Sequence, residues 1–250
     1  MPYSINKGVK IYFETRGDGI PLVLQHGYTS SLNRWKECGY VEALKDRFEL
    51  ILIDARGHGL SDKPHRKVDY DWQLRTEDIL AVVNDLGYER FNFWGYSMGG
   101  VYGFNLAKSV SHRLISLVVG GAHPYATSFE AFNGIDGTNK DEFMNAFENL
   151  VGESFSPESR KRMLTNDLQA LVAAAGNRES LEDAMLEVNV PCLMYVGEND
   201  SRFVQVKQFA SRLQNASFTQ IPGQNHAETN ARSDLVLPHV TKFLSNHNPI

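Results

Sequence analysis

Gly95-Tyr96-Ser97-Met98-Gly99 stands between a short run of bulky residues, Phe91–Trp94, and an apolar stretch, Val101–Ala107, that reads as a helix. A serine hydroxyl is a poor nucleophile unless it is held exposed on a tight turn beside a base. Glycine two residues to either side of Ser97 removes the Cβ atoms that would collide where a strand turns straight into a helix. The first turn of that helix offers unpaired backbone N–H groups and the positive end of its dipole. The serine needs a base, and the base needs a carboxylate to orient it. His226 lies in the turn-rich segment Pro222-Gly223-Gln224-Asn225-His226, and Asp200 ends Gly197-Glu198-Asn199-Asp200, with Glu198 as the rival acid. The chemistry these types can do is attack on a carbonyl. The developing oxyanion would be held by two backbone N–H groups, those of Met98 and of Tyr28 in the loop His26-Gly27-Tyr28.

Positions 97, 200 and 226 meet only if the elements between them deliver all three to one edge. Ile11–Thr15 and Pro21–Gln25 read as strands around the Gly17-Asp18-Gly19 turn, and Glu49–Asp54 is a near-continuous apolar run, the mark of a strand covered on both faces. Ile79, Val82, Val83 and Leu86 then fall at helical spacing, with Gly87 to end the helix. Strand patterns recur at Phe91–Trp94, Leu114–Val119, Cys192–Val196 and Ser217–Ile221, with helical spacing in Phe203–Leu213 and Leu235–Leu244. This alternation calls for an α/β fold with a mainly parallel central sheet flanked by helices, whose following loops share one sheet edge. Residues 124–189 break the rhythm: helices only, inserted between strands six and seven. Phe143, Phe147 and Leu150 mark one helix. Ser156-Pro157 opens another, whose apolar face runs through Met163, Leu164, Leu168, Leu171, Val172 and Ala175 to a stop at Gly176. An insertion this long in a short-looped chain reads as a lid over a pocket.

Composition narrows the rest. Hydrophobic residues are 42% and charged residues 22% of 250, and Lys+Arg 25 against Asp+Glu 30 leaves a net charge of −5. There is no basic stripe of the kind that neutralises phosphates, so no nucleic-acid partner is expected. The longest near-apolar run, Leu114 to Ala122, is broken by Ser116 and falls far short of the roughly 20 residues that cross a bilayer. The opening residues have no apolar core of signal-peptide type. Two cysteines, Cys38 and Cys192, read as free thiols, and a cytoplasmic location is expected. No zinc, nucleotide-phosphate or flavin motif is present, so neither metal nor cofactor is expected. No repeat or linker appears, and residues 1–250 read as one domain containing the insertion. Trp35, His123, Tyr125, Phe129 and Phe203 are candidates to line the pocket, with Tyr28 and Trp94 beside them; each is an aromatic that could equally be core. His58 and Asp54, in Arg56-Gly57-His58-Gly59, read as a structural turn, and His26 as a supporting residue.

Together, Gln25-His26-Gly27, Asp54-Ala55-Arg56-Gly57-His58-Gly59-Leu60-Ser61-Asp62, Gly95-Tyr96-Ser97-Met98-Gly99-Gly100, Gly197-Glu198-Asn199-Asp200 and the late His226 resemble the α/β-hydrolase superfamily over nearly the whole chain. The resemblance implies an α/β-hydrolase fold, a Ser97–His226–Asp200 triad, an oxyanion hole from Tyr28 and Met98, and a helical cap at residues 124–189. Many members carry Gly immediately before the histidine, where this chain has Asn225. Dehalogenases and epoxide hydrolases of this fold place an Asp where Ser97 stands. The implied activity is cofactor-free cleavage of a small or medium carboxylic ester or lactone through an acyl-enzyme. Enol-lactonases, carbon–carbon bond hydrolases and cofactor-free perhydrolases resemble it in the same residues, as do slow-turnover ligand-binding signalling proteins of the same fold.

Overall fold

The computed structural model describes residues 2–248. Its strands are β1 (Tyr3–Asn6), β2 (Val9–Arg16), β3 (Ile20–Gln25), β4 (Phe48–Ile53), β5 (Phe91–Tyr96), β6 (Leu114–Gly120), β7 (Cys192–Gly197) and β8 (Ala216–Ile221). They form one sheet in the order β1-β2-β4-β3-β5-β6-β7-β8. β1 and β2 pair antiparallel, as do β2 and β4; from β4 to β8 every pairing is parallel. The register sets Gln25 beside both Ile53 and Gly95, and Tyr96 beside Gly120, so the strands carrying the site motifs finish level with one another.

β3 to β7 are apolar on both sides because both faces are covered. On one face Val23, Ile51, Phe93, Val119 and Met194 pack under α3 (Trp72–Asp85), α4 (Met98–Val110) and α9 (Phe203–Ala210). On the other, Leu24, Leu50, Trp94, Val118 and Tyr195 pack under α1 (Asn33–Glu37), α2 (Tyr40–Leu44) and α11 (Ser233–His247). Each such side chain contributes about 1.5–3 kcal/mol on leaving water. β1 inverts the usual pattern: Tyr3 and Ile5 face solvent, while Ser4 and Asn6 turn inward to Asp85 (2.6 Å) and Asp78 (2.8 Å). Hydrophobic alternation gives no sign of such a strand.

Between β6 and β7 the chain forms α5 (Lys140–Val151), α6 (Pro157–Met163), α7 (Leu168–Ala174) and α8 (Glu182–Leu186). Ser156 caps α6 with Pro157 at its first position, as its sequence predicts. The single helix expected to run on to Gly176 is instead two. Asp167 accepts from the Ala170 N–H (3.0 Å) and restarts the chain as α7, and the segment leaves helical geometry at Ala175. Asp and Asn bond to nearby backbone better at a cap than inside a helix, which places the break at Asn166-Asp167. Phe143, Phe147, Met163, Leu168, Leu171 and Val172 from these helices form an apolar cluster of their own. Among the described residues no helix is long and apolar enough to cross a membrane.

Candidate active site

The turn from β5 to α4 is as tight as its glycines imply. A Cβ on Gly95 would lie 2.0 Å from the Gly99 carbonyl oxygen, and one on Gly99 would lie 2.1 Å from that of Gln25. Ser97 sits at the apex with φ 55 and ψ −114, a left-handed conformation costly for a residue with a Cβ. Its N–H donates to the Gly120 carbonyl on the neighbouring strand end (2.7 Å), which helps to hold the strained turn.

His226 is the first residue of α10 (His226–Ala231). Asn225, where glycine is common in the resembling family, has an extended conformation open to any residue and serves as the cap. Its Oδ1 accepts from the Glu228 N–H (2.9 Å), and Glu228 returns a bond to the Asn225 N–H (2.9 Å). Capping thus fixes the backbone that carries the imidazole. Tyr96 fixes it from the other side. Its hydroxyl donates to the His226 carbonyl (2.5 Å), and its ring lies 5.1 Å from the imidazole.

Asp200, in the loop after β7, is buried and meets His226 Nδ1 through Oδ2 at 2.6 Å; its Oδ1 accepts from the Arg202 N–H at 3.0 Å. Burial alone would raise the Asp200 carboxyl. The hydrogen bond from His226, with the His226 and Arg202 charges, outweighs it and holds the group below the ordinary carboxylate range. An ionised Asp200 can only accept, so a proton is assigned to Nδ1, which leaves Nε2 as the nitrogen that can exchange a proton with a substrate or with Ser97. Glu198 instead bonds the Gly223 N–H (2.9 Å). Ser97 and His226 line the same cavity of about 290 Å³. In this structure Ser97 Oγ has no hydrogen-bond partner among the described residues; bonds of this kind in empty sites are often long and tighten with substrate.

The loop after β3 runs beside the serine: a Cβ on Gly27 would stand 3.4 Å from Ser97 Cβ and 4.0 Å from Oγ. Among the described residues, the N–H groups of Tyr28 and Met98 have no acceptor. The Tyr28 side chain points elsewhere. Its hydroxyl donates to the Leu171 carbonyl of α7 (2.6 Å), and its ring meets Phe132 and Phe147 edge-on, so it ties the inserted helices to the strand edge.

A second cavity of about 400 Å³ opens on Ser97 between the sheet edge and the inserted helices. Both cavities are lined by Tyr28, Ser97, Phe147, Val151 and Arg202. Of the residues read from sequence as pocket candidates, Trp94 is fully buried core, while Tyr28, His123 and Phe129 lie in the wall of the larger cavity. Trp35 does not: it is core, edge-on to Tyr40 and Trp94. Tyr125 turns its ring to Phe209, and Phe203 packs on Phe218, because both find apolar neighbours behind the wall. His26 and His58 are buried neighbours, their rings 5.2 Å apart. His26 donates from Nδ1 to the Gly27 carbonyl (2.8 Å) and accepts the Ala55 N–H at Nε2 (3.1 Å). Asp54 accepts the Leu32 and Leu60 N–H groups (2.7 and 2.8 Å), so the segment around His58 is a structural corner. Tyr96, Gly121, Arg178 and Arg202 were not visible from sequence as site residues. Only Tyr96 carried a hint, its place inside the serine motif.

A family model described as alpha/beta hydrolase fold matches residues 20–171. The soluble epoxide hydrolase of Corynebacterium sp. (strain C12) is 34% identical over 100 residues, 40% of this chain, which spans 34% of that relative's length. The 2-(acetamidomethylene)succinate hydrolase of Mesorhizobium japonicum is 26% identical over 92% of this chain and 89% of its own. Among solved structures, a hydrolase from Pseudomonas aeruginosa PA01 superposes with a TM-score of 0.83 over 97% of both chains at 21% identity. The family match covers more than half of the chain, which therefore belongs to the alpha/beta hydrolases.

Proposed function

We propose that this alpha/beta hydrolase is a serine hydrolase that cleaves carboxylic esters of small or medium size through an acyl-enzyme. The observation that carries this is the 2.6 Å bond between Asp200 and His226 Nδ1, with His226 and Ser97 lining one cavity. His226 Nε2 takes the Ser97 hydroxyl proton as Oγ bonds to the carbonyl carbon. The Tyr28 and Met98 N–H groups hold the oxyanion. As the carbon–oxygen bond to the alcohol breaks, His226 returns the proton to the departing oxygen. Water then gives a proton to the same nitrogen, attacks the acyl carbon and releases the acid, and Ser97 recovers its proton. Asp200 stays ionised throughout and stabilises the imidazolium. The two cavities that open on Ser97 can take the acyl and alcohol halves. Helices α5 to α7, anchored through Tyr28, act as a lid that keeps bulk water from the ester, whereas α8, expected from sequence within the cap, packs on α4 with Met185 in the main core.

The test is a panel of short p-nitrophenyl esters, lactones, a vinylogous diketone and acetate with peroxide, run with wild type and Ser97→Ala. Fastest multiple turnover on esters, lost in Ser97→Ala, is expected. Turnover confined to the lactone, the diketone or the peroxide reaction moves the activity to that chemistry. Ester turnover that survives Ser97→Ala refutes the serine mechanism.

A further inference from the structure

The wall of the larger cavity contains no Asp or Glu, yet three guanidiniums line it. Arg178 is 7% exposed, and its partners are all neutral: Nη1 donates to the His123 carbonyl (2.9 Å), Nη2 to the Tyr125 carbonyl (2.7 Å) and to Thr127 Oγ1 (2.8 Å). A guanidinium has five N–H groups, so its Nε–H and one Nη1–H are left over. Arg75, 4% exposed, donates to the carbonyls of Tyr70 and Ala174 (both 2.7 Å) and lies 4.4 Å over the Trp72 ring. Among the described residues neither arginine forms an ion pair. Arg202 has one, Nη1 to Asp200 Oδ1 at 3.4 Å, but that carboxylate is already committed to His226.

Neutral acceptors satisfy hydrogen bonds but leave the charge uncompensated, which is unfavourable for a group removed from water. The strain shows at one end of the cavity. Burial, and then the Arg202 charge, bring Arg178 down to about 10; burial, then Arg178 and Arg202, bring His123 down to about 4. His123 is therefore neutral at pH 7 and adds a polar surface rather than a third charge beside these two arginines. All three acceptors in the loop at residues 123–127 are neutral, so tying it down calls for N–H donors and not for a net charge. The positive charge is surplus to the fold and faces the space a substrate would fill.

We infer that the substrate carries, away from the bond to be cleaved, a carboxylate that docks against Arg178 and Arg202 beside His123, with Arg75, which lines the same cavity, adding to the positive field. The bond cleaved rests on the serine-hydrolase reading; the anion seat does not. The seat is tested by calorimetric titration of the Ser97→Ala variant with monomethyl glutarate and with methyl valerate. The two share a methyl ester on a five-carbon chain, and only monomethyl glutarate has a carboxylate at the far end. Monomethyl glutarate is expected to bind at least about tenfold more tightly, with the gap shrinking in high salt. Arg178→Gln should close most of the gap and Arg178→Lys restore part of it. Methyl valerate binding as tightly as monomethyl glutarate, or no measurable binding of either, overturns the seat whatever the ester panel shows. A preference for monomethyl glutarate without Ser97-dependent turnover leaves the seat standing and removes only the reading of the bond.

Discussion

Gly121, just past β6, has φ +59 and faces the imidazole; a Cβ there would lie 2.8 Å from His226 Cε1, 3.0 Å from Nδ1 and 3.1 Å from Tyr96 Cζ. Gly121→Ala therefore acts twice. A left-handed backbone costs a residue with a Cβ roughly 1–2 kcal/mol, which in a chain of this size lowers Tm by about 2–8 °C. The ring must also retreat about 0.6 Å to reach a contact of 3.4 Å. Little gives way around it. The Tyr96 ring lies behind the imidazole at 5.1 Å, the Tyr96 hydroxyl pins the His226 carbonyl, and the 2.6 Å bond to Asp200 has no slack. A misplacement on the order of 1 Å at a reacting group costs about a hundredfold in rate. Steady-state kinetics on a short p-nitrophenyl ester should show kcat down about a hundredfold with KM changed far less, alongside the lower melt. A kcat within about threefold of wild type, in a protein with an unchanged Tm, would refute the placement of the imidazole against this glycine.

Asn225→Ala removes the cap before His226, the 2.9 Å bond that its Oδ1 accepts from the Glu228 N–H; about 1 kcal/mol should be lost, read as a lower urea midpoint at unchanged slope. An unmoved midpoint contradicts the capping role. Arg56 and Asp78 form a buried bidentate pair with both bonds at 2.6 Å. Asp78→Ala strands the guanidinium and should cost about 3–5 kcal/mol; a loss under about 1 kcal/mol in denaturant unfolding speaks against it. Because the Asp200 carboxyl is held low in the folded chain, its stabilising contribution is complete above the unfolded value of about 3.9 and is lost as pH falls through the lower folded value. The stability gap between wild type and Asp200→Asn should thus be flat between about pH 5 and pH 7 and shrink below about pH 4. A gap that persists at the lowest accessible pH contradicts the pairing.

The order of Ser97, Asp200 and His226 is readable from sequence because parallel strands send their following loops to one edge, so residues more than a hundred positions apart need no further signal to share it. Of the strands that carry those loops, β5 and β7 are buried along their whole length, whereas β8, which leads to His226, is an edge strand with polar Ser217, Thr219 and Gln220 and only partial burial. Where burial does not follow polarity, pattern reading has nothing to use: Ser4 and Asn6 face inward in β1 because carboxylates wait there, across a long stretch of chain. Trp35 and Tyr125 show the converse, since an aromatic near a site in sequence packs wherever apolar neighbours are. The helix expected through Asn166-Asp167 divides because a local side-chain bond competes with the backbone ladder. Asn225 replaces the flexibility of glycine with a cap, an exchange visible only once α10 is seen to begin at His226. The arginines of the cavity wall are the least legible of all, for nothing in a sequence says whether an arginine meets a carboxylate, and only the fold shows that Arg75 and Arg178 bond to neutral acceptors instead.

The proposed nucleophile is tested directly by treating the wild-type protein with a fluorophosphonate and mapping the adduct by peptide mass spectrometry. One adduct per chain on Ser97, formed in step with loss of esterase activity and greatly slowed in His226→Gln, is the expected result. A protein that stays unlabelled while it hydrolyses esters, or that carries the adduct on another residue, would contradict the serine mechanism.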